Sequence, residues 1–343
     1  MLEVLSHLKQ TTRFTRFSSC RGSDLSTFSI GGLVTHYVKT HSLVDLKAIV
    51  TALAHQSLPC RYLGNGSNIV FPDEGIRYEP VIRYSPSISK ISFLEDPEDV
   101  FLLNDECTFA ECDARALILS ALTNELGISK EYGKKYSFRI HAGTSLMSTS
   151  RFFSGVGLHG FEFCAGIPGT LGGGVYMNAG AHGREIVSCI SRVHVMRSDG
   201  SVHSYKKSDL SFSYRESGIP SCEIIIAVDI ELEHQEIEEV RKIREEALSY
   251  RKKTQPLKFP SAGSVFRNPE GDPLSAGALL ESLGLKGRNE GGVSFSELHA
   301  NWIVKTSREA LAADVRKLVH TAIELASEKN GINLTPEILF WKP

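Results

Sequence analysis

The chain has 343 residues, 41% hydrophobic and 23% charged, with a formal net charge of −2, a soluble globular profile with room for two or three domains at roughly 100–200 residues each. So balanced a charge gives no broad positive field to draw nucleic acid or an acidic membrane surface. Its seven cysteines (Cys20, Cys60, Cys107, Cys112, Cys164, Cys189, Cys222) are odd in number, scattered and without a C-x-x-C pair, which points to free thiols in a reducing compartment and away from a disulfide frame or a zinc site.

Residues 1–25 carry Arg13, Arg16 and Arg21 among Ser and Thr, but also Glu3 and no apolar stretch; they read as a cytoplasmic N-terminal extension and not as a transit peptide. From Ser26 to Arg83, short β-like runs (Tyr37-Val38 and Ile69-Val70-Phe71) flank a helix expected over Leu43 to Ala54. Between Asn104 and Lys135 the apolar residues Leu117, Ile118, Ala121 and Leu122 recur at helical spacing, with Gly127 placed to stop the helix. A strand resumes at Phe138-Arg139-Ile140. A further helix is expected from Gln235 to Tyr250, where Ile237, Val240, Arg244 and Ala247 share a face and Glu238 precedes Lys242 by one turn. The last helix, Ala310 to Glu328, sets Val315, Leu318, Val319, Ala322, Leu325 and Ala326 along one stripe before Gly331. The tail Asn333 to Phe340 is β-like but holds Pro336, so it belongs at an edge. No apolar run reaches the roughly 20 residues that cross a bilayer, and the histidines form no H-x-x-x-H cluster, so neither a membrane span nor a metal is expected.

Two glycine segments stand out. In Leu63-Gly64-Asn65-Gly66-Ser67-Asn68, the glycines could turn successive amides toward a pyrophosphate, with Ser67 and Asn68 adding donors. By itself the segment reads better as a tight turn before a strand. It is no P-loop, since no Lys-Ser/Thr follows, and no Rossmann fingerprint, since a strand follows where a helix should open. The second segment runs Gly166-Ile167-Pro168-Gly169-Thr170-Leu171-Gly172-Gly173-Gly174 and continues as Asn178-Ala179-Gly180-Ala181-His182-Gly183. Ordering so many glycines costs roughly 0.5–1 kcal/mol each relative to alanine, so a backbone wall against a flat or anionic ligand explains the run better than core packing. A mobile loop is the competing reading.

Taken in order, these segments resemble the UDP-N-acetylenolpyruvoylglucosamine reductase family. The resemblance begins at Thr27-Phe28-Ser29-Ile30-Gly31-Gly32 and runs through Leu63 to Phe71, Gly160 to Glu185 and Phe212-Ser213-Tyr214-Arg215-Glu216-Ser217. It continues in Ala262 to Pro269, Ala276 to Glu281, Gly284-Leu285-Lys286-Gly287, His299-Ala300-Asn301 and Leu334-Thr335-Pro336-Glu337, in the pattern of the family's shorter class. It implies an α+β fold of the vanillyl-alcohol-oxidase type. Two FAD-binding subdomains (26–85 and 86–234) would precede a C-terminal α+β substrate domain (235–343). Two departures stand out: the Asn104–Lys135 helix is an insertion, and His182 occupies a position where the family commonly has Tyr.

The resemblance also implies a reaction in peptidoglycan precursor synthesis: a UDP-amino-sugar enolpyruvyl ether is reduced to a lactyl ether by a bound FAD, with NADPH as co-substrate, in a cytoplasmic monomer. Hydride addition at C3 leaves carbanion character at C2, delocalised into the adjacent carboxylate. The developing charge needs a cation or hydrogen-bond donors, and C2 needs a proton donor. The family's motifs assign Arg215 to the charge, Ser264 to the proton and Glu337 to the enol form, with a raised carboxyl pKa expected beside a substrate carboxylate. Tyr214, Lys258 and Asn268 are the expected substrate contacts. The expected cofactor contacts are Gly64, Asn65, Gly66, Ser67 and Asn68, then Gly166, Ile167, Pro168, Gly169, Thr170, Gly173, Asn178, Gly180 and Gly183. Two other readings stay open: a flavin oxidase of an alcohol or sugar on the same fold, and a nucleotide-binding protein without catalysis.

Overall fold

The computed structural model describes residues 1–85, 91–94, 132–271 and 273–343. The inserted helix expected over Asn104 to Lys135 lies, up to residue 131, outside the described residues; its last position, Lys135, opens the strand Lys135–His141. The chain divides into two units, each assembled from separate stretches: Met1–Phe17, Val38–Gly64 and Ile82–Leu248 form the first, and Ser18–Tyr37, Asn65–Val81 and Ser249–Pro343 the second. A four-stranded sheet runs in the order Thr15–Arg21, Leu33–Thr40, Val81–Tyr84, Arg61–Tyr62.

In the first unit, Ser42 starts the helix Leu43–His55 by accepting a hydrogen bond from the Asp45 amide, and the helix buries Leu43, Leu46, Ile49, Val50 and Leu53. Against that face pack Leu5 and Leu8 from a helix at Leu2–Thr11. The N-terminal residues thus supply core. Asp45 anchors them further, its Oδ2 accepting from the Phe14 amide at 2.7 Å and the Thr15 hydroxyl at 2.8 Å.

The larger sheet of this unit has the order Val202–Lys206, Ile190–Met196, Ile224–His234, Lys135–His141, Ile91–Leu94, with Leu158–His159 paired to the long central strand. Phe138, Phe153, Phe161 and Phe163 form a chain of ring contacts in its core. Asp229 is buried on the central strand. Arg139 grips it through Nε and Nη2 at 2.7 and 2.8 Å, and His194 Nε2 stands 2.9 Å from Oδ2. Burial pushes the Asp229 carboxyl up, but hydrogen bonds from Arg139 and His194 outweigh it and hold the pKa below the usual carboxylate value.

The second unit has the sheet Ser261–Ser264, Trp302–Lys305, Val293–Phe295, Asn289–Glu290, covered by the helices Ala276–Ser282 and Ala312–Asn330. The long helix buries Val315, Leu318, Val319, Ala322 and Ala326, the expected stripe, and ends on Gly331 at φ 68°. Its first turn is capped from afar. Asp73 accepts from the Ala312 and Ala313 amides at 2.8 and 3.0 Å, placing negative charge where the helix dipole favours it. The tail forms the two-residue strand Leu339–Phe340, paired in parallel with Ile69–Val70. Among the described residues no helix is long and apolar enough to cross a membrane, and Cys20, Cys60, Cys164, Cys189 and Cys222 are not in disulfides.

Candidate active site

In the first unit the glycine-rich segment folds as the short helix Leu171–Tyr176, with Thr170 as its N-cap. Its glycines divide by direction. A Cβ on Gly172 would stand 2.8 Å from the Ala142 Cβ, and one on Gly174 would stand 2.9 Å from Leu146 Cδ1, whereas one on Gly173 would meet only Thr170 Oγ1, at 3.3 Å. Core packing therefore explains Gly172 and Gly174, contrary to the expectation that a ligand accounts for the whole run. Gly173 is exposed. The first amides of the helix are already engaged: Leu171 donates to Thr144 O and Gly172 to Ala142 O, and Gly173 donates to Thr170 Oγ1. The segment therefore presents exposed backbone without a side chain at Gly173, and the amides at the helix start are taken by protein partners. Gly64 lies against this segment, since a Cβ there would stand 2.7 Å from Thr170 Oγ1. Ile167 and Pro168 are half-buried beside Gly166, and Gly169 is buried.

Beyond the helix, Gly180-Ala181 pairs with Arg184-Glu185, and the connecting His182 and Gly183 both have positive φ, 54° and 74°, as a two-residue hairpin turn requires. Gly180 is close-packed within this hairpin, its Cβ position 2.6 Å from Arg184 O. Asn178 is fully buried, and its side chain is committed to protein partners. Its Nδ2 donates to Glu185 Oε2 at 2.9 Å and to Ser213 O at 2.8 Å, while Oδ1 accepts from the Val187 amide at 3.3 Å.

Ser213 begins the turn that carries Arg215. Ser213 and Glu216 exchange main-chain hydrogen bonds of 3.0 and 3.1 Å, leaving Tyr214 and Arg215 at the tip. Arg215 has φ 62°, a conformation that costs a side-chain-bearing residue about 1–2 kcal/mol and is held by its surroundings. Its guanidinium lies 4.6 Å from the Tyr214 ring centroid, and its Nη1 is 3.9 Å from Glu185 Oε1.

In the second unit three expected site residues converge. Ser264 ends a strand whose register slips between Ser261 and Ser264; Gly263, at φ 82°, makes that irregularity and comes near Ser67 O, 3.8 Å from its Cβ position. One residue on, Val265 O accepts from the Glu337 amide at 2.7 Å, so Ser264 and Glu337 lie on adjoining segments. Asn68 closes the group: its Nδ2 donates to Glu337 O at 3.0 Å, and its own carbonyl accepts from the Leu339 amide at 2.8 Å. Gly66, at φ 64°, passes so close to Leu25 and Ser26 that no Cβ fits. Ser67, Ser264 and Glu337 are half-buried, and Asn65 is exposed.

The expected substrate contacts are less uniform. Lys258 is exposed, and Asn268 Oδ1 accepts from the Ala276 amide at 3.0 Å, which holds the start of the helix Ala276–Ser282. Arg215 and Tyr214 belong to the first unit, Ser264 and Glu337 to the second. Three supporting residues had no expected role. Thr27 ties its loop to Ser261 through its hydroxyl, 2.8 Å from Ser261 O. Asn301 imitates a strand partner for Phe266, with bonds of 2.9 and 2.8 Å. Glu185 links Asn178 to Arg215. Each falls inside a motif that carries the family resemblance, and that was its only signal. His299 is structural: its Nδ1 accepts from the Asn301 amide at 3.2 Å, and burial lowers its pKa from 6.5.

Residues 255–341 match the family model for the C-terminal domain of UDP-N-acetylenolpyruvoylglucosamine reductase. The chain is 32% identical over 339 residues to the protein of that name from Lachnoclostridium phytofermentans, covering 98% of this chain and 96% of the relative. It is 32% identical over 319 residues to that of Synechococcus sp., covering 92% of each. The crystal structure of UDP-N-acetylenolpyruvylglucosamine reductase from Thermus caldophilus superimposes with a TM-score of 0.71 at 29% identity, over 96% of this chain and all of that one. The α+β fold expected from the resemblance is the fold found, and the chain belongs to the UDP-N-acetylenolpyruvoylglucosamine reductase family.

Proposed function

We propose that this chain reduces UDP-N-acetylglucosamine enolpyruvate to UDP-N-acetylmuramate in peptidoglycan precursor synthesis, as a cytoplasmic monomer with FAD bound and NADPH as co-substrate. The observation that carries the reading is likeness to reductases of that name along 98% of the chain. The residues present suit a flavin. Gly64 and Thr170 approach at a distance only glycine permits, and the exposed glycine backbone at Gly173 leaves room for a ring. The turn at Gly66 to Asn68 is the candidate for the pyrophosphate.

FAD, once bound and reduced by NADPH, would supply the hydride for C3 of the enolpyruvyl group. Arg215 would stabilise the charge that develops on the substrate carboxylate, since its fork of donors suits a carboxylate becoming an enediolate and a lysine would not reproduce that geometry. Ser264 would give its proton to C2. A serine hydroxyl is a weak acid, but the acceptor is a strongly basic carbanion. Glu337 would stabilise the enol form from the opposite side. Tyr214 and Lys258 would orient the substrate, while Asn268 would act through the helix start it holds. A flavin oxidase on the same fold would leave Arg215, Ser264 and Glu337 without a shared task.

The test is direct. Purified protein should show a flavin absorption spectrum and, with no artificial acceptor added, consume NADPH rapidly only when the enolpyruvyl nucleotide sugar is present. Ser264→Ala should slow turnover by about 10²–10⁴-fold, the range for a lost general acid, with the flavin spectrum unchanged. Wild-type turnover in Ser264→Ala would remove this mechanism.

A further inference from the structure

The backbone of Arg215 stands in a conformation that arginine does not favour, so something must hold it there. Two tethers reach the turn Ser213–Glu216. Its first carbonyl, Ser213 O, accepts from Asn178 Nδ2 at 2.8 Å. Its arginine faces Glu185, with 3.9 Å between Nη1 and Oε1. The tethers are joined, because the same Asn178 amide donates to the other oxygen of Glu185 at 2.9 Å. Asn178 is fully buried and bonded through both its donor and its acceptor atoms, so it has little freedom to move. Its own φ of 40° lies in the left-handed region that asparagine tolerates better than most residues.

From this geometry we propose that Asn178 and Glu185 are positioning residues for the reduction, acting through Arg215. Asn178 locks the base of the turn and orients the Glu185 carboxylate, and the free edge of that carboxylate steers the guanidinium. The proposal rests on the catalytic reading of Arg215. It explains why the carboxylate and the buried amide stand together: Glu185 needs one oxygen fixed so that the other presents a defined acceptor. It also gives the Gly166–Glu185 segment a second task beside its packing, because the segment's far end sets the arginine. Glu185 does not contact the reacting atoms in this account.

Glu185→Gln is the sharpest probe. The amide can still accept from Asn178, but the atom facing Arg215 becomes a donor and the charge is lost. In the flavin-loaded full chain, we expect kcat for the enolpyruvyl substrate to fall about tenfold, a usual size for coupled neighbours. NADPH-driven reduction of an artificial acceptor and the thermal midpoint should stay at wild-type values. Asn178→Ser, which keeps a polar atom but cannot bridge both partners, should also lower kcat for the enolpyruvyl substrate.

The deciding measurement is a cycle with Arg215→Ala, read as single-turnover reoxidation by substrate so that slow variants are resolved. Glu185→Gln should cost nothing further once Arg215 is gone. An equal loss on both backgrounds would mean that Glu185 acts independently of Arg215 and overturns the proposal, as would unchanged kcat in Glu185→Gln. Full activity of Arg215→Ala would instead remove the catalytic reading of the arginine itself, a distinct result that takes the positioning role with it.

Discussion

Asn68 and Glu337 stand 269 positions apart in sequence, yet the side-chain amide of Asn68 donates to the Glu337 carbonyl at 3.0 Å. The bond ties the loop after Gly66 to the C-terminal tail, and the Val265 carbonyl accepts the Glu337 amide on the other side of the same residue. Glu337 is thus fixed by its backbone from two directions. Asn68→Asp keeps the shape but sets a carboxylate against that carbonyl. We expect it to lower stability by about 1–3 kcal/mol, the usual range for a bond lost with one partner left unmet, and to slow turnover because Glu337 shifts relative to Ser264. Urea unfolding beside steady-state kinetics checks both; wild-type values in each would mean the bond holds nothing.

Glycine substitutions should separate packing from ligand contact. Gly66→Ala meets both a strained φ of 64° and the backbone of Leu25 and Ser26, while Gly263→Ala meets a φ of 82° with only Ser67 O nearby at 3.8 Å. Strain alone predicts about 1–2 kcal/mol for Gly263→Ala, and Gly66→Ala should cost more. In the helix Leu171–Tyr176, Gly172→Ala and Gly174→Ala should destabilise by crowding Ala142 and Leu146. Gly173→Ala, facing outward, should leave the unfolding midpoint nearly unchanged and weaken retention of FAD. Chemical denaturation and flavin release on dilution read the two effects separately, and tight FAD binding by Gly173→Ala would take that face out of the cofactor site.

What could be read in the sequence was local. The helices Ile237–Thr254 and Ala312–Asn330 followed from apolar period, and the stop at Gly331 from its position after the last apolar residue. The tail's place at the edge of a pair followed from Pro336. What escaped was set by distant partners. Leu5 and Leu8 were three residues apart on a helix, but the arginines and serines that follow them masked a segment that the helix Leu43–His55 completes. The site divided in the same way. Motif order pointed to Ser264, Arg215 and Glu337, whereas the strain at Arg215, the strand-like bonding of Asn301 and the span from Asn68 to Glu337 depend on long-range pairing that no local pattern encodes.

Arg215 offers a test of strain against function. Its φ of 62° suits glycine, so Arg215→Gly should be more stable than Arg215→Ala by about 1 kcal/mol, although both lose the guanidinium. Both should lose enolpyruvyl reduction to a similar degree. Equal unfolding midpoints for the two variants would show that the turn carries no strain. A marked difference in their turnover would mean that the backbone, and not the guanidinium, is what the reaction requires.

The pH dependence of folding should carry the mark of His299. Burial lowers its pKa below the ordinary 6.5, with the nearby Lys286 charge adding to the effect, and its Nδ1 accepts from the Asn301 amide at 3.2 Å, which only an unprotonated nitrogen can do. The unfolded chain therefore takes up a proton near pH 6.5, before the folded chain does. Wherever the unfolded state binds more protons, stability falls as pH falls. The contribution is complete above pH 6.5 and declines below it until the folded-state pKa is passed. His299→Gln removes the titration. The difference in unfolding free energy between wild type and variant, measured in urea from pH 7.5 to 5, should shift steadily against the wild type as the solution is acidified. A difference that stays constant over that range would mean that His299 titrates alike in both states.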